Sequence, residues 1–366
     1  MKSLNNIKIA VGISGGVDSS VSLLLLKKTG YDVVAVFMQN WDDFINNNIN
    51  DSKTCSVWDD YNDAKSVCDK LGVELYKVDF IKEYWDSVFE KSIDLYKKGF
   101  TPNPDIFCNN FIKFDLFQKY CLEKFNCDFV ATGHYANIVV SNGKNYLTES
   151  IDQNKDQTYF LSGLNQNQLM KALFPIGNFK KTEVREIAKK YNLINWNKKD
   201  STGICFIGEQ NFNKFLENYL PHNEGQIIDI ETKKIIGAHK GLWFYTIGQR
   251  KNIGLHGNDY KYFVCKKDLE NNILYVVSQN NSDKFLYSFG CKVIDFNWIS
   301  GPPSNSHVQI KFRHSIEKVK GYFIINNDGS VDLKYADGAK AVTIGQQAVL
   351  YQEQICLGGG LIFQVE

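Results

Sequence analysis

The sequence lacks the features that mark several broad classes of protein. No apolar run approaches the roughly 20 residues that a membrane-spanning helix needs. The 9 cysteines contain no C-x-x-C pair, and no set of cysteines and histidines has the spacing of a zinc site. An odd number of cysteines without such spacing argues against a disulfide framework, so most of these thiols are expected to be free and buried.

A strong charge of one sign is also missing. The chain carries 42 basic and 41 acidic residues, for a net charge of +1. This balance does not indicate a nucleic-acid-binding protein, although a local basic patch would be sufficient for one. The first six residues are polar and lead directly into an apolar segment, which resembles neither a signal peptide nor a transit peptide. We therefore expect a cytoplasmic protein.

Both common phosphate-binding loops are absent, because neither G-x-x-x-x-G-K-[ST] nor G-x-G-x-x-G occurs. Residues 14–20 instead read SGGVDSS, between a predicted strand at 7–13 and a predicted helix that Gly30 ends. A strand, a glycine-rich turn and a helix N-terminus direct backbone N–H groups at one point, which favours a bound anion. Asp18 would repel a phosphate unless a cation lies between them, so the pattern predicts Mg²⁺ at Asp18. A plain glycine–serine turn is the alternative interpretation.

The first half of the chain predicts an α/β fold. Apolar strands at 31–38, 73–80 and 129–135 alternate with helical segments, which favours an open parallel sheet with helices on both faces. Ligands of such sheets bind at the carboxyl ends of the strands. Met38 and His134 lie at such ends, although a core methionine and a structural histidine would fit the same pattern.

The chain changes character after about residue 208. Short alternating segments and turn residues dominate from there to the C-terminus, with a break near residues 278–285. The sequence therefore predicts three domains: a catalytic α/β domain at 1–208, a small mainly β domain at 209–280, and a C-terminal β domain at 281–366.

Two cysteines have distinctive surroundings. Cys108 follows the segment TPNPDIF at 101–107, whose prolines are predicted to exclude helix, and precedes a predicted helix at 111–125. A thiolate near a helix N-terminus is stabilised, and the Asp105 carboxyl could transfer a proton. Cys205 follows Lys198 and Lys199, and such cations lower the pKa of a thiol. Either cysteine alone is also compatible with a buried structural thiol.

Taken together, these motifs resemble the bacterial tRNA-specific 2-thiouridylases, which are PP-loop ATP pyrophosphatases. The resemblance runs over essentially the whole chain. The segments that carry it are GISGGVDSS (12–20), VFMQNW (36–41), TPNPDIFCN (101–109), ATGHYA (131–136), KDQTYFL (155–161), KKDSTGICFIGE (198–209), YTIGQRKNIGL (245–255) and CLGGG (356–360).

The resemblance implies a reaction and a fold. The fold is a PP-loop domain of the adenine nucleotide alpha hydrolase type, followed by a small central domain and a C-terminal β-barrel. The reaction is ATP-dependent adenylation of the C2 oxygen of the wobble uridine in tRNAs for Lys, Glu and Gln, followed by sulfur transfer from a cysteine persulfide. The implied cofactors are ATP and Mg²⁺. The implied partners are tRNA and a sulfur-relay protein or cysteine desulfurase, and the expected state is a monomer.

The resemblance also implies site residues. Cys108 is the expected nucleophile, Cys205 the carrier of the persulfide and Asp105 the acid or base, with a Cys108–Cys205 disulfide left behind. Two thiols are needed because releasing sulfur as sulfide takes two electrons, which disulfide formation supplies. The expected ATP-binding residues are Gly12, Ile13, Ser14, Gly15, Gly16, Val17, Asp18, Ser19, Met38 and Gly133. The expected contacts to the target base or tRNA are Asn103, Pro104, Asp105, His134, Lys155, Asp156, Gln157, Lys311, Phe312 and Gln346.

Two other functions are compatible with part of the pattern. A PP-loop ligase or amidotransferase acting on a small acceptor would use the SGGVDSS loop but would give Cys108 and Cys205 no role. An RNA-binding protein without activity would be expected to have lost loop residues, whereas Asp18 and both loop glycines are present.

Overall fold

The computed structural model describes residues 4–41, 56–200, 216–255 and 261–366. None of the helices in these ranges combines the length and the apolar character needed to cross a membrane.

The N-terminal domain is built on a five-stranded parallel sheet with the strand order β3-β2-β1-β4-β7. Alternate residues of the second strand belong to two different hydrophobic clusters, Val36 and Met38 to one and Ala35 and Phe37 to the other. Both faces of the sheet are therefore covered, which confirms the predicted α/β class. The strands are β1 (Lys8–Ile13), β2 (Asp32–Gln39), β3 (Leu75–Asp79), β4 (Phe129–Ala131) and β7 (Ala172–Leu173).

Helices connect these strands. The first ends where Gly30 adopts the left-handed conformation at φ 95°, as the sequence predicts. Two helical stretches contain π-helical turns, at Trp85–Phe89 and Cys108–Leu116. The helices are α1 (Val17–Thr29), α2 (Ser56–Leu71), α3 (Ile81–Tyr84), α4 (Glu90–Lys97), α5 (Pro104–Phe107), α6 (Phe117–Phe125), α7 (Gln166–Met170) and α8 (Lys181–Lys190).

The predicted absence of helix in the segment before Cys108 is wrong. Its prolines were expected to exclude helix, yet α5 begins at Pro104 and continues through the π-helical turn into α6. Proline is tolerated in the first helical turn because its missing N–H would have no intrahelical partner there. The Asn103 side chain caps this helix by accepting a hydrogen bond from the backbone N–H of Asp105 at 3.1 Å.

Two β domains follow. The central one is a four-stranded sheet, ordered β10-β11-β8-β9, of β8 (Gly225–Asp229), β9 (Ile235–His239), β10 (Tyr262–Asp268) and β11 (Ile273–Ser278). After the short helix α9 (Ser282–Leu286), six antiparallel strands form a barrel that closes where the first strand pairs with the last. They are β12 (Tyr287–Trp298), β13 (His307–Lys311), β14 (Val319–Ile325), β15 (Val331–Lys340), β16 (Gln347–Gln352) and β17 (Ile355–Val365).

A hairpin ties the N-terminal domain to the barrel. Its strands β5 (Asn137–Ser141) and β6 (Lys144–Thr148) come from the N-terminal domain and pair with each other. Strand β6 then pairs with β17, with Cys356 opposite Leu147. Backbone hydrogen bonds thus join the first and third domains, which limits how far they can move independently.

Candidate active site

The turn between β1 and α1 is fixed by its own serines. The Ser14 backbone N–H donates to Ser19 Oγ at 3.1 Å, and Ser19 Oγ donates to the Gly16 carbonyl at 3.1 Å. Gly15 has a φ of +74°, and a Cβ there would lie 2.2 Å from the Asp60 carbonyl oxygen. Only glycine fits this position, so the shape of the turn depends on the predicted residues.

Gly133 lies against the same turn. It follows β4, the neighbour of β1 in the sheet, and a Cβ on it would lie 2.6 Å from the backbone nitrogen of Ser19. The structure therefore brings Gly133 together with the SGGVDSS segment, as a shared nucleotide site requires. Met38 is buried in the hydrophobic cluster on the face of the sheet that Cys108 also occupies. Its contact with a nucleotide base stays a prediction.

Asp18 is already paired. Both of its carboxylate oxygens accept hydrogen bonds from Lys181 Nζ at 2.8 Å, and the Tyr135 hydroxyl donates to Oδ1 at 2.8 Å. Among the described residues no group of three or more acidic, histidine or cysteine side chains could hold a metal ion. A Mg²⁺ held by Asp18 and the protein alone does not fit this arrangement, because Mg²⁺ prefers several oxygen ligands.

A cluster of charges extends from Asp18, and we call Asp18, Lys155, Lys181, Arg185 and Asp200 the loop cluster. Lys181 lies 2.7 Å from Asp200, which also contacts Lys155 at 2.7 Å and Arg185 at 2.9 Å. Burial alone would raise the pKa of Asp200, but hydrogen bonds from Lys155 and Lys181 outweigh it and lower the pKa to about 2. Lys181, Arg185 and Asp200 were not among the residues predicted from sequence.

Two residues just before Asp200 contact the turn and the neighbouring helix α2. Asn195 Nδ2 donates to the Gly15 carbonyl at 2.8 Å and to Ser20 Oγ at 2.9 Å. Lys198 Nζ lies 2.7 Å from Asp60 and 2.5 Å from Asp63, both on α2. The chain that leads toward Cys205 is thus fixed beside the turn, while Cys205 itself lies outside the described residues.

The Cys108 thiol is fully buried, in the hydrophobic cluster that contains Phe107 and Ile112. Burial, as the largest cause, raises its pKa to about 12, with nearby Lys113 lowering and Asp105 raising it. The expectation of a stabilised thiolate is wrong for this conformation, because the helix begins at Pro104 and the thiol lies in the core rather than at an exposed helix end.

The segment in front of Cys108 is held by the barrel. The Thr101 N–H donates to the Ile344 carbonyl at 3.0 Å, and Gln346 Nε2 donates to the Thr101 carbonyl at 2.7 Å. Gln346, expected to contact tRNA, therefore positions the segment that carries the other expected base contacts. Those contacts, Asn103, Pro104 and Asp105, are half-buried at the start of α5.

A second group of charges lies between the first domain and the barrel. Lys311 Nζ is 3.2 Å from Glu149 and 3.3 Å from Asp156, and Lys318 Nζ is 2.8 Å from Glu149. We call Glu149, Asp156, Lys311 and Lys318 the barrel cluster. The Lys311 and Asp156 side chains are only 2% and 1% exposed, so both expected tRNA contacts are withdrawn from the surface here.

Three further residues predicted to contact tRNA also make internal contacts. His134 is buried between the rings of Phe114 and Phe174, and burial lowers its pKa well below the ordinary histidine value. Phe312 is buried in the barrel core. Gln157 Oε1 accepts from the Tyr135 N–H at 2.9 Å. Contacts of these three with RNA stay predictions.

Family models match all three domains. They are described as tRNA methyl transferase HUP domain at residues 7–209, tRNA methyl transferase PRC-barrel domain at 213–278 and Aminomethyltransferase beta-barrel domain at 288–362. Among solved structures, the U34-tRNA thiolase NcsA from Methanococcus maripaludis matches with a TM-score of 0.36 and 21% identity, over 59% of this chain and 67% of that chain. A match this weak supports no conclusion about function.

Curated relatives match over nearly the full length. The tRNA-specific 2-thiouridylase MnmA of Malacoplasma penetrans is 54% identical over 363 residues, which cover 97% of this chain and 98% of the relative. The protein of the same name from Mycoplasma capricolum subsp. capricolum is 50% identical over 372 residues, covering 98% and 99%. The chain therefore belongs to the tRNA-specific 2-thiouridylase family.

Proposed function

We propose that this chain is an ATP-dependent tRNA 2-thiouridylase, which replaces the C2 oxygen of the wobble uridine by sulfur. The observation that carries the proposal is the turn at residues 14–19, where helix α1 begins beside Gly133 and a cluster of cations. Such a turn suits the pyrophosphate portion of ATP. The tRNA substrate and the thiolation are inferred from its relatives, the tRNA-specific 2-thiouridylases.

In the first step the uracil O2 attacks the α-phosphorus of ATP. A new P–O bond forms, the bond to pyrophosphate breaks, and pyrophosphate leaves with the electron pair. In this proposal the backbone N–H groups at the start of α1 stabilise the charge that develops on the leaving group. The uracil N3 proton has to leave as O2 becomes bonded to phosphorus, and Asp105 is the proposed acceptor.

In the second step sulfur replaces the adenylate. A persulfide on Cys205 can attack C2 directly and displace AMP, after which Cys108 attacks the Cys205 sulfur, breaks the S–S bond and leaves the sulfur on C2. Alternatively, Cys108 first cleaves the persulfide by forming a disulfide with Cys205, and the released sulfide attacks C2 and displaces AMP. Either order ends with AMP leaving, sulfur bonded to C2 and two electrons supplied by the two thiols. Because the thiolate is the nucleophile, Cys108 has to be uncovered and deprotonated. We expect tRNA binding to accompany that change, since the thiol is buried in the free protein.

The proposal also includes the tRNA set, the oligomeric state, the sulfur source and the residues nearest to the target base. The substrates are tRNAs for Lys, Glu and Gln, the protein is a cytoplasmic monomer, and sulfur comes from a relay protein or a cysteine desulfurase. Mg²⁺ enters with the triphosphate. The residues nearest to the target base are Asn103, Pro104 and Asp105.

The test uses purified protein, unmodified tRNA, Mg-ATP and a persulfide donor, with pyrophosphate release and sulfur in the tRNA as readouts. We expect the wild type to form both products. Cys205→Ser and Cys108→Ser should still release pyrophosphate but should transfer no sulfur. Cys265→Ser is the matched control, because Cys265 lies on a strand of the central domain and its substitution should leave both products unchanged.

Two results would contradict the proposal. One is sulfur transfer that survives in both cysteine variants. The other is pyrophosphate release that ignores tRNA and depends on an amine acceptor, which would favour a PP-loop ligase.

A further inference from the structure

Asp200 has an unusual number of cationic partners. Its carboxylate is held by Lys155 at 2.7 Å, by Lys181 at 2.7 Å and by Arg185 at 2.9 Å. Lys155 comes from the loop after β6, whereas Lys181 and Arg185 come from the first turns of α8. Three cations from two separate parts of the chain thus surround one carboxylate, an arrangement that would serve a phosphate equally well.

This cluster adjoins the anion-binding turn. Lys181 bridges Asp200 and Asp18, and Asp18 lies in the first turn of α1. The loop cluster contains three cations and two carboxylates, and a third carboxylate, that of Asp152, accepts a hydrogen bond from the Lys181 backbone N–H at 2.9 Å. Solvent reaches it, because the side chains of Lys155, Arg185 and Asp200 are 40%, 32% and 32% exposed. A ligand can therefore reach these cations without unfolding the domain.

We propose that Lys155, Lys181 and Arg185 form the binding site for the outer phosphates of ATP, and that Asp200 occupies this site until the triphosphate replaces it. This inference rests on the proposed use of ATP. It adds the residues that bind the phosphates beyond the turn, and it assigns Asp200 the role of an internal competitor.

Neutralising Asp200 distinguishes a competing role from a supporting role, because the two roles predict opposite changes in phosphate affinity. If Asp200 positioned the cations for the ligand, neutralising it would weaken phosphate binding. If Asp200 competes with the ligand, neutralising it removes the carboxylate that the three cations share, leaves Lys181 paired with Asp18 alone and tightens binding. Asp200 is ionised at neutral pH, since its pKa lies at about 2, so the competing charge is present whenever the enzyme works.

The experiment measures binding of inorganic pyrophosphate to the full chain by calorimetry, without tRNA or a sulfur donor. We expect Asp200→Asn to bind pyrophosphate roughly three- to fivefold more tightly, in keeping with the modest strength of partly exposed ion pairs. Asp283→Asn is the matched control, because it removes the same charge from an exposed ion pair elsewhere in the chain. Asp283 on α9 lies 2.7 Å from Lys340 on β15 of the barrel. Unchanged or weaker binding by a folded Asp200→Asn variant would overturn the inference.

The cations supply a second test that does not depend on how Asp200→Asn folds. Lys155→Met and Lys181→Met should each weaken pyrophosphate binding about tenfold or more, since each removes a charged hydrogen-bond donor from the ligand. Lys340→Met is the control and should bind normally. If the wild type binds pyrophosphate but both variants bind equally well, this inference alone fails. If the wild type binds neither pyrophosphate nor ATP, the proposed function fails with it.

Discussion

The loop cluster and the barrel cluster contain similar groups in different surroundings. In each, one lysine bridges two carboxylates: Lys181 contacts Asp18 and Asp200, and Lys311 contacts Glu149 and Asp156. The Lys311 side chain is 2% exposed and its partners 3% and 1%, whereas the Lys181 side chain is 11% exposed and its partners 30% and 32%.

This difference in burial separates a structural ion pair from one available to a ligand. Charges as buried as those of Lys311 have lost their hydration, so they remain stable only while every partner stays in place. Charges in the loop cluster keep water on one side, so an incoming anion can exchange with a carboxylate at little cost. The barrel cluster therefore joins two domains, and the loop cluster can take part in binding.

The largest expected effect is on stability in the barrel cluster. Lys311→Met leaves Glu149 and Asp156 buried without their shared cation, which should lower the free energy of unfolding by roughly 3–5 kcal/mol. Lys181→Met should cost less than about 1 kcal/mol, because its partners remain hydrated. Urea unfolding of both variants measures the two losses. Equal losses would remove the distinction between the clusters.

The next effect concerns the turn beside the loop cluster. Gly133→Ala places a Cβ about 2.6 Å from the Ser19 nitrogen, which displaces the start of α1. We expect about 1–3 kcal/mol of destabilisation, as for other overpacked sites, together with loss of pyrophosphate binding. Gly16→Ala is the matched control for the fold, because Gly16 has a φ of −82° and a Cβ there meets only Ser14 Oγ at 3.5 Å. Normal pyrophosphate binding by Gly133→Ala would show that the two segments do not share a site.

The smallest effect comes from a third lysine, the half-buried Lys267, whose side-chain hydrogen bond goes to a backbone carbonyl rather than to a carboxylate. Lys267 Nζ donates to the Gly99 carbonyl at 3.2 Å, and burial lowers its pKa to about 8. The unfolded chain keeps this proton up to a pKa of about 10.4, so wild type gains stability relative to Lys267→Met as pH rises between those two values. Melting temperatures of both proteins at about pH 7 and about pH 9.5 check the sign. An unchanged difference would mean that Lys267 titrates as an exposed lysine.

Local patterns in the sequence predicted the parts of the site that local geometry determines. The strand, the glycine turn and helix α1 follow one another within residues 8–29. The sequence does not predict the start of α5, because proline usually breaks a helix, whereas Pro104 occupies the first helical position, which favours proline.

The charge clusters could not be predicted in the same way. Asp18, Lys155 and Asp200 are far apart in the sequence, and only the fold brings them together. Lys311 is predicted as a tRNA contact by the family resemblance, which carries no information on whether the fold buries the side chain. The sequence therefore identified chemically suitable residues but could not show which ones the fold exposes.

Nucleoside mass spectrometry tests the central claim most directly. Unmodified tRNA would be incubated with the protein, Mg-ATP and a persulfide donor, and in parallel with S-adenosylmethionine, since the matching family models are named for methyl transfer. The account predicts 2-thiouridine at the wobble position, formed only with ATP and accompanied by AMP and pyrophosphate. A methylated nucleoside, or sulfur incorporation that needs no ATP, would contradict it.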